Sequence, residues 1–232
     1  MIFHGFQKMT LLDFPGRVAC TLFTGGCNFR CPFCHNASLV TDIDNDVTYT
    51  EESILAFLDK RHGLLDGVAI TGGEPLMHES IADFIVKVRE KGFAVKLDTN
   101  GSFPDRLRDL IDRGLVDYVA MDVKNCREKY ALTAGIDASL LPKIEESMAL
   151  LLEGRVDYEF RTTVINEFHT PEDIGRAAAW IGGAKRYFLQ PFVDSGNLIG
   201  DTPMSAPDAD TLCAMREAAA PHVPATAIRG AD

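Results

Sequence analysis

Short runs rich in β-branched and aromatic residues recur along this chain, and helical stretches lie between most of them. Strands that alternate with helices form parallel βαβ units, so we expect an α/β protein. Six such units fall short of the eight that close a full barrel. An open, incomplete barrel and a doubly wound sheet both satisfy this pattern. The six predicted strands cover residues 18–24, 68–71, 93–98, 116–122, 158–165 and 185–190.

The helical stretches have recognisable faces and starting points. Thr170 can cap a helix whose first turn holds Pro171, and Asp173 completes a start that resembles a capping box. The strongest apolar pattern covers residues 78–91, at positions i, i+3, i+4 and i+7: Ile81, Phe84, Ile85 and Val88. Weaker helical patterns cover residues 51–60, 104–113, 139–153 and 207–220.

Composition argues against several classes of protein. The 232 residues carry a formal net charge of −11, and the 23 Lys and Arg residues form no basic stripe for nucleic acid. No apolar run approaches the ~18 residues of a membrane span, and the N-terminus lacks the layout of a signal peptide. We therefore expect a cytoplasmic protein without a nucleic-acid or membrane partner. Cytosolic thiols stay reduced, so clustered cysteines indicate a metal more often than a disulfide.

The chain is expected to form a single domain over residues 1–232. No linker rich in Pro, Gly or Ser and no shift in composition divides it, and it contains no internal repeat. The core of this domain covers about residues 17–192. Residues 193–232 are predicted to form a C-terminal loop, helix and tail.

Three cysteines stand within eight residues, in the sequence CNFRCPFCHN. A structural zinc site uses four ligands. His35 is a poor fourth ligand beside Cys34, because adjacent residues rarely reach one tetrahedral centre together. A cubane iron–sulfur cluster has four irons, so the thiolates of Cys27, Cys31 and Cys34 would leave one iron able to bind a substrate. The cluster is therefore favoured over zinc. The isolated cysteines are assigned no chemical role: Cys20, Cys126 and Cys213.

Polar and glycine-rich motifs fall where the predicted strands end. In parallel α/β folds the chemistry lies on the loops that follow the carboxyl ends of the strands. We therefore expect one active site on this rim. The cysteine loop follows the first strand. The later strand ends carry TGGEP (71–75), DTNG (98–101), MDVK (121–124), Arg161 and QPF (190–192).

The spacing CxxxCxxC, with Phe33 before its last cysteine, resembles the signature of the radical S-adenosylmethionine (SAM) superfamily. That resemblance implies a partial (β/α)6 barrel in a single domain, which agrees with the six βα units. It also implies a [4Fe-4S] cluster held by Cys27, Cys31 and Cys34, whose open iron is chelated by the amino and carboxylate groups of SAM. One electron from the cluster then cleaves SAM to a 5′-deoxyadenosyl radical, which takes a hydrogen atom from the target.

The same resemblance assigns SAM-binding roles to several strand-end residues. Gly72, Gly73 and Glu74 resemble the family's GGEP element, which holds the methionine amino group. A tight turn between a strand and a helix would also use these glycines. Lys124 would reach the SAM carboxylate, and Asp122 would bind the amino group or a cation. The alternative for these two residues is an ordinary surface ion pair.

Each of the remaining candidate SAM-binding residues allows more than one interpretation. Arg161 lies in an otherwise apolar strand and would suit the SAM carboxylate, but a structural carboxylate partner is nearly as well supported. Asp98 and Thr99 would supply oxygens to a monovalent cation beside SAM, or would simply cap a strand end. Three residues would lie on the adenine side of SAM: Phe33, His35 and Asn36. His35 could equally be exposed in a loop. Gln190 is the last predicted SAM contact.

Four motifs together look like those of the glycyl-radical-enzyme activases, which abstract hydrogen from the Cα of one glycine in a partner enzyme. They are DFPG, CHN, DTNG and MDVK. No cysteine lies between Cys34 and Gly72, so the ferredoxin-like insert of many activases is absent. This leaves the compact activases for pyruvate formate-lyase and for anaerobic ribonucleoside-triphosphate reductase. The segment TLLDFPG, the QPF motif and the absence of a histidine from the stretch LQPFVDSG look more like the longer form of the ribonucleotide reductase activator.

A flavodoxin or a ferredoxin is the expected electron donor. Two other functions also fit the cysteines. One is a radical SAM enzyme that acts on a small molecule, such as the compact 7-deazaguanine-pathway synthases. The other is a non-catalytic iron–sulfur or zinc protein, which would form no 5′-deoxyadenosine from SAM.

Overall fold

A large β-sheet forms the centre of the computed structural model, which describes residues 1–43 and 47–230. Eight of the strands described there form this sheet in the order β10-β9-β8-β7-β6-β5-β3-β2, and a separate antiparallel pair joins β1 to β4. The described strands are β1 (Ile2–Phe3), β2 (Gly5–Thr10), β3 (Ala19–Thr24), β4 (Tyr49–Thr50), β5 (Gly67–Gly72), β6 (Ala94–Thr99), β7 (Tyr118–Asp122), β8 (Asp157–Val164), β9 (Tyr187–Pro191) and β10 (Thr226–Ile228).

Helices connect the parallel strands. A capping box starts the seventh helix: Thr170 Oγ1 accepts from the Asp173 backbone N–H at 3.2 Å, and Asp173 Oδ2 accepts from the Thr170 N–H at 3.0 Å. The described α-helices are α1 (Ser38–Thr41), α2 (Glu51–Asp59), α3 (Ile81–Glu90), α4 (Pro104–Asp112), α5 (Arg127–Ala134), α6 (Leu141–Leu152), α7 (Pro171–Trp180) and α8 (Ala209–Ala219), with 3₁₀ turns at Pro75–Met77 and Ala138–Leu140.

The six predicted strands are confirmed, each with boundaries within two residues of the prediction. They are β3 and β5 to β9, and neighbouring members of this set run parallel. Strand β2 adds to one edge in the antiparallel direction, and β10 adds to the other edge in the parallel direction. These two edge strands do not pair with each other, so the sheet stays open.

The two faces of the sheet differ, which separates an open barrel from a doubly wound sheet. On the outer face, Val68 and Ile70 of β5 join a large apolar core together with helix residues such as Phe84. The inner face carries a separate small cluster that includes no helix residue: Phe14, Ala19, Ala94, Tyr118 and Ala120. A doubly wound sheet has helices on both faces. Here they cover one face, as in a partial barrel, and the predicted fold class is confirmed.

The DFPG segment closes the base of this open barrel. The Phe14 side chain is 2% exposed and packs beneath the first residues of the strands. A Cβ atom on Gly67 would lie 2.9 Å from the Phe14 ring, so the glycine makes room for it. Asp13 Oδ2 accepts a hydrogen bond from Thr21 Oγ1 at 2.5 Å and holds the segment against β3.

The C-terminal segment lies across the carboxyl end of the barrel before it returns to the sheet. The Gly200 N–H donates to the Pro32 carbonyl in the cysteine loop at 2.9 Å, and the Asn166 N–H donates to the Ser205 carbonyl at 3.0 Å. Helix α8 then leads to β10, which pairs with β9. None of the helices in the described residues is long and apolar enough to cross a lipid bilayer.

Candidate active site

One cavity at the carboxyl ends of the strands brings together every residue that the sequence predicted to bind a metal or SAM. Five further residues line it that the sequence analysis did not assign: Phe29, Val40, Thr71, Asn100 and Thr163. The predicted residues around the cavity are Cys27, Cys31, Phe33, Cys34, His35, Asn36, Gly72, Gly73, Glu74, Asp98, Thr99, Asp122, Lys124, Arg161 and Gln190.

The cysteine loop reaches this cavity with three free thiols. Cys31 is buried, whereas Cys27 and Cys34 are partly exposed. Burial raises the pKa of the Cys27 thiol, and it raises that of Cys31 to about 12. Both are therefore protonated at neutral pH in metal-free protein, and metal binding would release their protons. The Cys31 thiol donates to the Ala134 carbonyl at 3.5 Å.

The two glycines of GGEP are required by the close approach of the cysteine loop. Gly72 has a φ of 116°, and a Cβ atom there would lie 2.3 Å from the Thr24 nitrogen. A Cβ atom on Gly73 would lie 1.9 Å from the Gly26 carbonyl oxygen. In return, the Glu74 N–H donates to that same oxygen at 2.8 Å. The glycine pair therefore lets two cavity-lining loops bind each other through their backbones.

Glu74 is a buried carboxyl that joins the ends of β5 and β6. Its Oε1 accepts from the Leu76 N–H at 3.1 Å and from Thr99 Oγ1 at 2.8 Å. Its Oε2 accepts from the Asn100 N–H at 2.7 Å. Burial raises the pKa of Glu74 to about 7 despite these three donors. Each oxygen has two lone pairs, and Oε2 has one left for a ligand.

Five charged side chains form a row across the inner face of β6, β7 and β8. Lys96 pairs with Asp98, and Arg161 Nη2 lies 3.1 Å from Asp98 Oδ2. Arg161 Nε also donates to Asp122 Oδ1 at 2.5 Å, and Lys124 Nζ donates to Asp122 Oδ2 at 2.8 Å. Three cations thus share two carboxylates. The row carries one excess positive charge beside the thiols.

The pKa shifts of four members of this row favour their ionised forms: Asp98, Asp122, Lys124 and Arg161. Burial works to raise the pKa of Asp122, but the Arg161 and Lys124 charges hold it well below its usual range. Burial likewise works to lower the pKa of Lys124, and Asp122 holds it above its usual range. Arg161 therefore has structural carboxylate partners, Asp98 and Asp122, as the alternative interpretation expected. The Asp122–Lys124 pair is partly buried and lines the cavity, unlike an ordinary surface pair.

The cavity also has residues that carry little charge. Phe33 is 3% exposed, and its ring centroid lies 5.9 Å from that of Phe168. Asn36 Nδ2 donates to the Gly72 carbonyl at 3.2 Å. His35 is exposed, as the alternative interpretation expected, yet it also lines the cavity, and its ring centroid lies 5.8 Å from that of Phe192.

Strands β8 and β9 contribute two neutral polar side chains at the rim. Thr163 and Gln190 are direct neighbours in the register of these strands, and both line the cavity.

The Thr99 hydroxyl is already hydrogen-bonded within the protein, because it donates to Glu74 and accepts from the Gly101 N–H at 3.1 Å. Thr163 was missed because a threonine in a strand carries no distinguishing signal. Asn100 was missed although it lies inside the quoted DTNG motif.

Comparison with known proteins identifies the family of this arrangement. Residues 21–181, more than half of the chain, match the Radical SAM superfamily. The chain belongs to the radical SAM superfamily.

Relatives among curated proteins agree with this membership. A protein of Methanocaldococcus jannaschii, provisionally named a glycyl-radical enzyme activating enzyme, is 32% identical over an alignment of 193 residues that covers 81% of this chain and 78% of that protein. A 7-carboxy-7-deazaguanine synthase of Methanopyrus kandleri is 35% identical over an alignment of 118 residues that covers 43% of this chain and 46% of that protein. The radical SAM chain is thus an enzyme whose similarity to an activating enzyme extends over most of its length.

A solved structure supports the radical SAM fold. A domain of the pyruvate-formate lyase-activating enzyme from Bacteroides vulgatus matches with a TM-score of 0.57 at 17% identity, over 71% of this chain and 99% of that chain. At this identity the similarity shows the fold alone.

Membership of the radical SAM superfamily implies a [4Fe-4S] cluster and SAM as cofactors, and the cavity fits both groups. Among residues 1–43 and 47–230, no three Cys, His, Asp or Glu side chains converge as they would around a single metal ion. Three free thiols that line one cavity suit a cluster, in which each thiolate binds a different iron. The excess positive charge of the neighbouring row suits the carboxylate of SAM.

Proposed function

We propose that this radical SAM enzyme generates a glycyl radical on a partner enzyme, and that the partner is an anaerobic ribonucleoside-triphosphate reductase. The observation that carries the proposal is the cavity in which three free thiols share their walls with GGEP and a charged row. The activase class is supported by the similarity to the Methanocaldococcus jannaschii protein over most of both chains.

In this proposal Cys27, Cys31 and Cys34 each bind one iron, and the fourth iron is left to SAM. When bound and reduced, the cluster that these cysteines would hold would supply the electron for the reductive cleavage of SAM. The cysteine loop would hold the cluster, and the backbone of this loop is bound by the Glu74 N–H at Gly26 and by the Gly200 N–H at Pro32. This attachment on two sides would keep the three sulfurs in place.

The charged row and GGEP would orient the methionine part of SAM. Lys124 and Arg161 would bind its carboxylate, because they contribute the charge that Asp122 does not balance. The amino group would lie against the backbone near Gly72 and the free lone pair of Glu74. Asp122, which already accepts from two cations, would attract the amino group electrostatically.

The less charged residues of the cavity would hold the nucleoside part. The Phe33 ring offers an apolar surface, and Asn36 and His35 offer polar atoms. Gln190 also lines the cavity, where it would reach the ribose. No general acid or base is needed here, since the protein acts by holding the 5′-carbon close to one Cα–H bond.

A partner's glycine loop would enter from the rim. The base is closed by Phe14, so the carboxyl end is the side on which the barrel interior is accessible. A loop that fills this opening would replace water with protein and protect the radical from stray hydrogen donors.

The choice of partner is supported by sequence features. The segment TLLDFPG, the QPF motif and the absence of a histidine from LQPFVDSG favour the anaerobic ribonucleotide reductase over pyruvate formate-lyase. A second candidate function is a radical SAM reaction on a small molecule, which the similarity to the deazaguanine synthase over less than half of each chain favours.

The proposal also includes a flavodoxin or a ferredoxin as electron donor and a cytoplasmic location. It leaves out the monovalent cation that was predicted beside SAM. Asp98 would be its main ligand, and this carboxylate already binds Lys96 and Arg161. Two cationic side chains there remove the electrostatic demand for a third positive charge.

The test is anaerobic incubation of the reconstituted protein with SAM, a reductant and each candidate glycyl radical enzyme. A glycyl doublet in the electron paramagnetic resonance (EPR) spectrum of the ribonucleotide reductase, together with 5′-deoxyadenosine, is the expected result. Cys31→Ala should abolish both signals, because two thiolates cannot hold the cubane, whereas Cys213→Ala at an exposed cysteine should abolish neither. Deoxyadenosine that forms only when a nucleobase-like small molecule is added would contradict the activase assignment.

A further inference from the structure

Every hydrogen-bonding atom of one amide side chain in the cavity wall is engaged, and one of its bonds reaches a cysteine. Asn100 is 6% exposed. Its Oδ1 accepts from the Ser102 backbone N–H at 2.9 Å and from Ser102 Oγ at 2.6 Å. Its Nδ2 donates to Asn28 Oδ1 at 3.0 Å and to Cys27 Sγ at 3.8 Å. The amide thus lies between the DTNG loop and the cysteine loop.

The orientation of this amide follows from its neighbours. A backbone N–H can only donate, so the atom of Asn100 that faces the Ser102 nitrogen must be the oxygen. The amino group therefore faces Cys27. Asn28 Nδ2 donates to Ser102 Oγ at 2.9 Å and closes a ring of three side chains. This ring holds the amino group of Asn100 toward the sulfur.

Cys27 differs from the other two cysteines of the loop in the N–H groups that donate to its sulfur. Its sulfur accepts from Asn100 and also from the Phe29 backbone N–H at 3.3 Å. Within the ranges that the structure describes, no N–H group donates to the sulfur of Cys31 or Cys34. N–H donors to a cysteine ligand stabilise the more negative, reduced state of an iron–sulfur cluster and so raise its reduction potential.

We propose that Asn100 is a positioning residue that acts through Cys27 to raise the reduction potential of the cluster, and that Asn28 and Ser102 fix its amide for this purpose. The inference rests on the proposed function in one respect, which is that Cys27 is a cluster ligand. It adds a residue that would act on the cluster through a cysteine and not as an iron ligand. Its effect is on the ease with which the electron donor reduces the enzyme.

The test is a redox titration of the reconstituted full chain, in which EPR measures the reduced cluster at each applied potential. Asn100→Ala removes the donor without adding charge. At a fixed potential it should lower the ratio of reduced to oxidised cluster by about threefold or more, which is a shift of about 28 mV for one electron. Asn100→Asp should shift the potential further, because it also places a negative charge beside the sulfur. Ser102→Ala should shift it less, in the same direction.

Asn166→Ala is the matched control, because this exposed asparagine donates only to Ser205 and Ala206. A full cluster in Asn100→Ala with the potential of the wild type and of this control would overturn the inference. If Asn100→Ala does not assemble a cluster, Asn100→Asp and Ser102→Ala decide by the same criterion, and unchanged potentials in both would overturn it. A wild-type chain that binds no cluster would instead contradict the proposed function, before any potentials are compared.

Discussion

At the scale of single residues, the main feature of the cavity is a row of charged side chains in which the cations outnumber the carboxylates. Lys96, Arg161 and Lys124 share the carboxylates of Asp98 and Asp122. Each buried ion is paired, which avoids the several kcal/mol that an unpaired buried charge costs. One positive charge is nevertheless left over. This surplus favours an anionic group over a metal cation in the cavity.

Lys124 offers the simplest test of this surplus. Lys124→Ala should retain the cluster, because no thiol is removed, and should weaken SAM binding about tenfold or more, since one hydrogen bond between charged groups is worth about 1.5 to 3 kcal/mol. Asp122 keeps Arg161 as its partner, so the fold should persist. Equilibrium dialysis with labelled SAM measures the effect. Lys143→Ala at an exposed lysine is the control, and an affinity equal to that of this control would remove Lys124 from the site.

The Glu74 carboxyl should make stability depend on pH. Burial raises its pKa from an ordinary 4.5 to about 7, so the folded protein holds a proton that the unfolded chain releases at lower pH. Its contribution to the free energy of unfolding is therefore full at low pH and is lost as the pH rises through about 7. Relative to Glu74→Gln, the wild type should lose about 1 to 3 kcal/mol between about pH 5 and pH 8.

Urea denaturation of the metal-free protein at several pH values measures this difference. Glu153→Gln, at an exposed carboxyl, is the control for the substitution itself. A constant difference between the wild type and Glu74→Gln over this pH range would mean that Glu74 ionises as an ordinary carboxyl.

At the scale of elements, the site depends on loops that bind one another through their backbones. The Gly73 N–H donates to the Thr24 carbonyl and the Glu74 N–H to the Gly26 carbonyl, both at 2.8 Å. These two bonds fix the cysteine loop relative to the end of β5. The glycines of GGEP are therefore part of the support of the thiols as well as candidates for contact with SAM.

Gly73→Ala tests this support. The new methyl group would lie 1.9 Å from the Gly26 oxygen, so the cysteine loop must move away. We expect the number of irons per chain after reconstitution to fall severalfold, with a loss of about 1 to 3 kcal/mol in stability from overpacking. Gly182→Ala is the control, since it meets only the Ala179 oxygen at 3.1 Å and is exposed. Full iron content in Gly73→Ala would show that the loop does not need this contact.

At the scale of the whole molecule, the sequence predicts the six-stranded framework well because apolar runs and helical faces alternate clearly. It misses elements without such a pattern. Strand β2 (GFQKMT) is largely exposed and polar, α5 (REKYALTA) has no continuous apolar face, and β10 is three residues long. These elements form because the rest of the fold offers them an edge or a surface, which local sequence does not encode.

The candidate site likewise has features that the sequence predicts and features that it does not. Motifs at strand ends predict which residues meet, because parallel strands bring their carboxyl ends to one rim. They do not predict which atoms bind each other. Arg161 bridges Asp98 and Asp122, and Asn100 reaches Cys27 from 73 positions along the chain. Such pairs depend on the register of the strands and on side-chain rotamers, so only the structure reveals them.

The claim on which the whole account depends is that three cysteines hold a four-iron cluster and leave one iron for SAM. The most direct measurement is the metal and sulfide content of the anaerobically reconstituted chain, with the EPR spectrum of its reduced cluster recorded before and after SAM is added. We predict about four irons and four sulfides per chain, and a spectrum that SAM changes. Zinc as the bound metal, or a four-iron cluster whose spectrum is unaffected by SAM, would contradict the account.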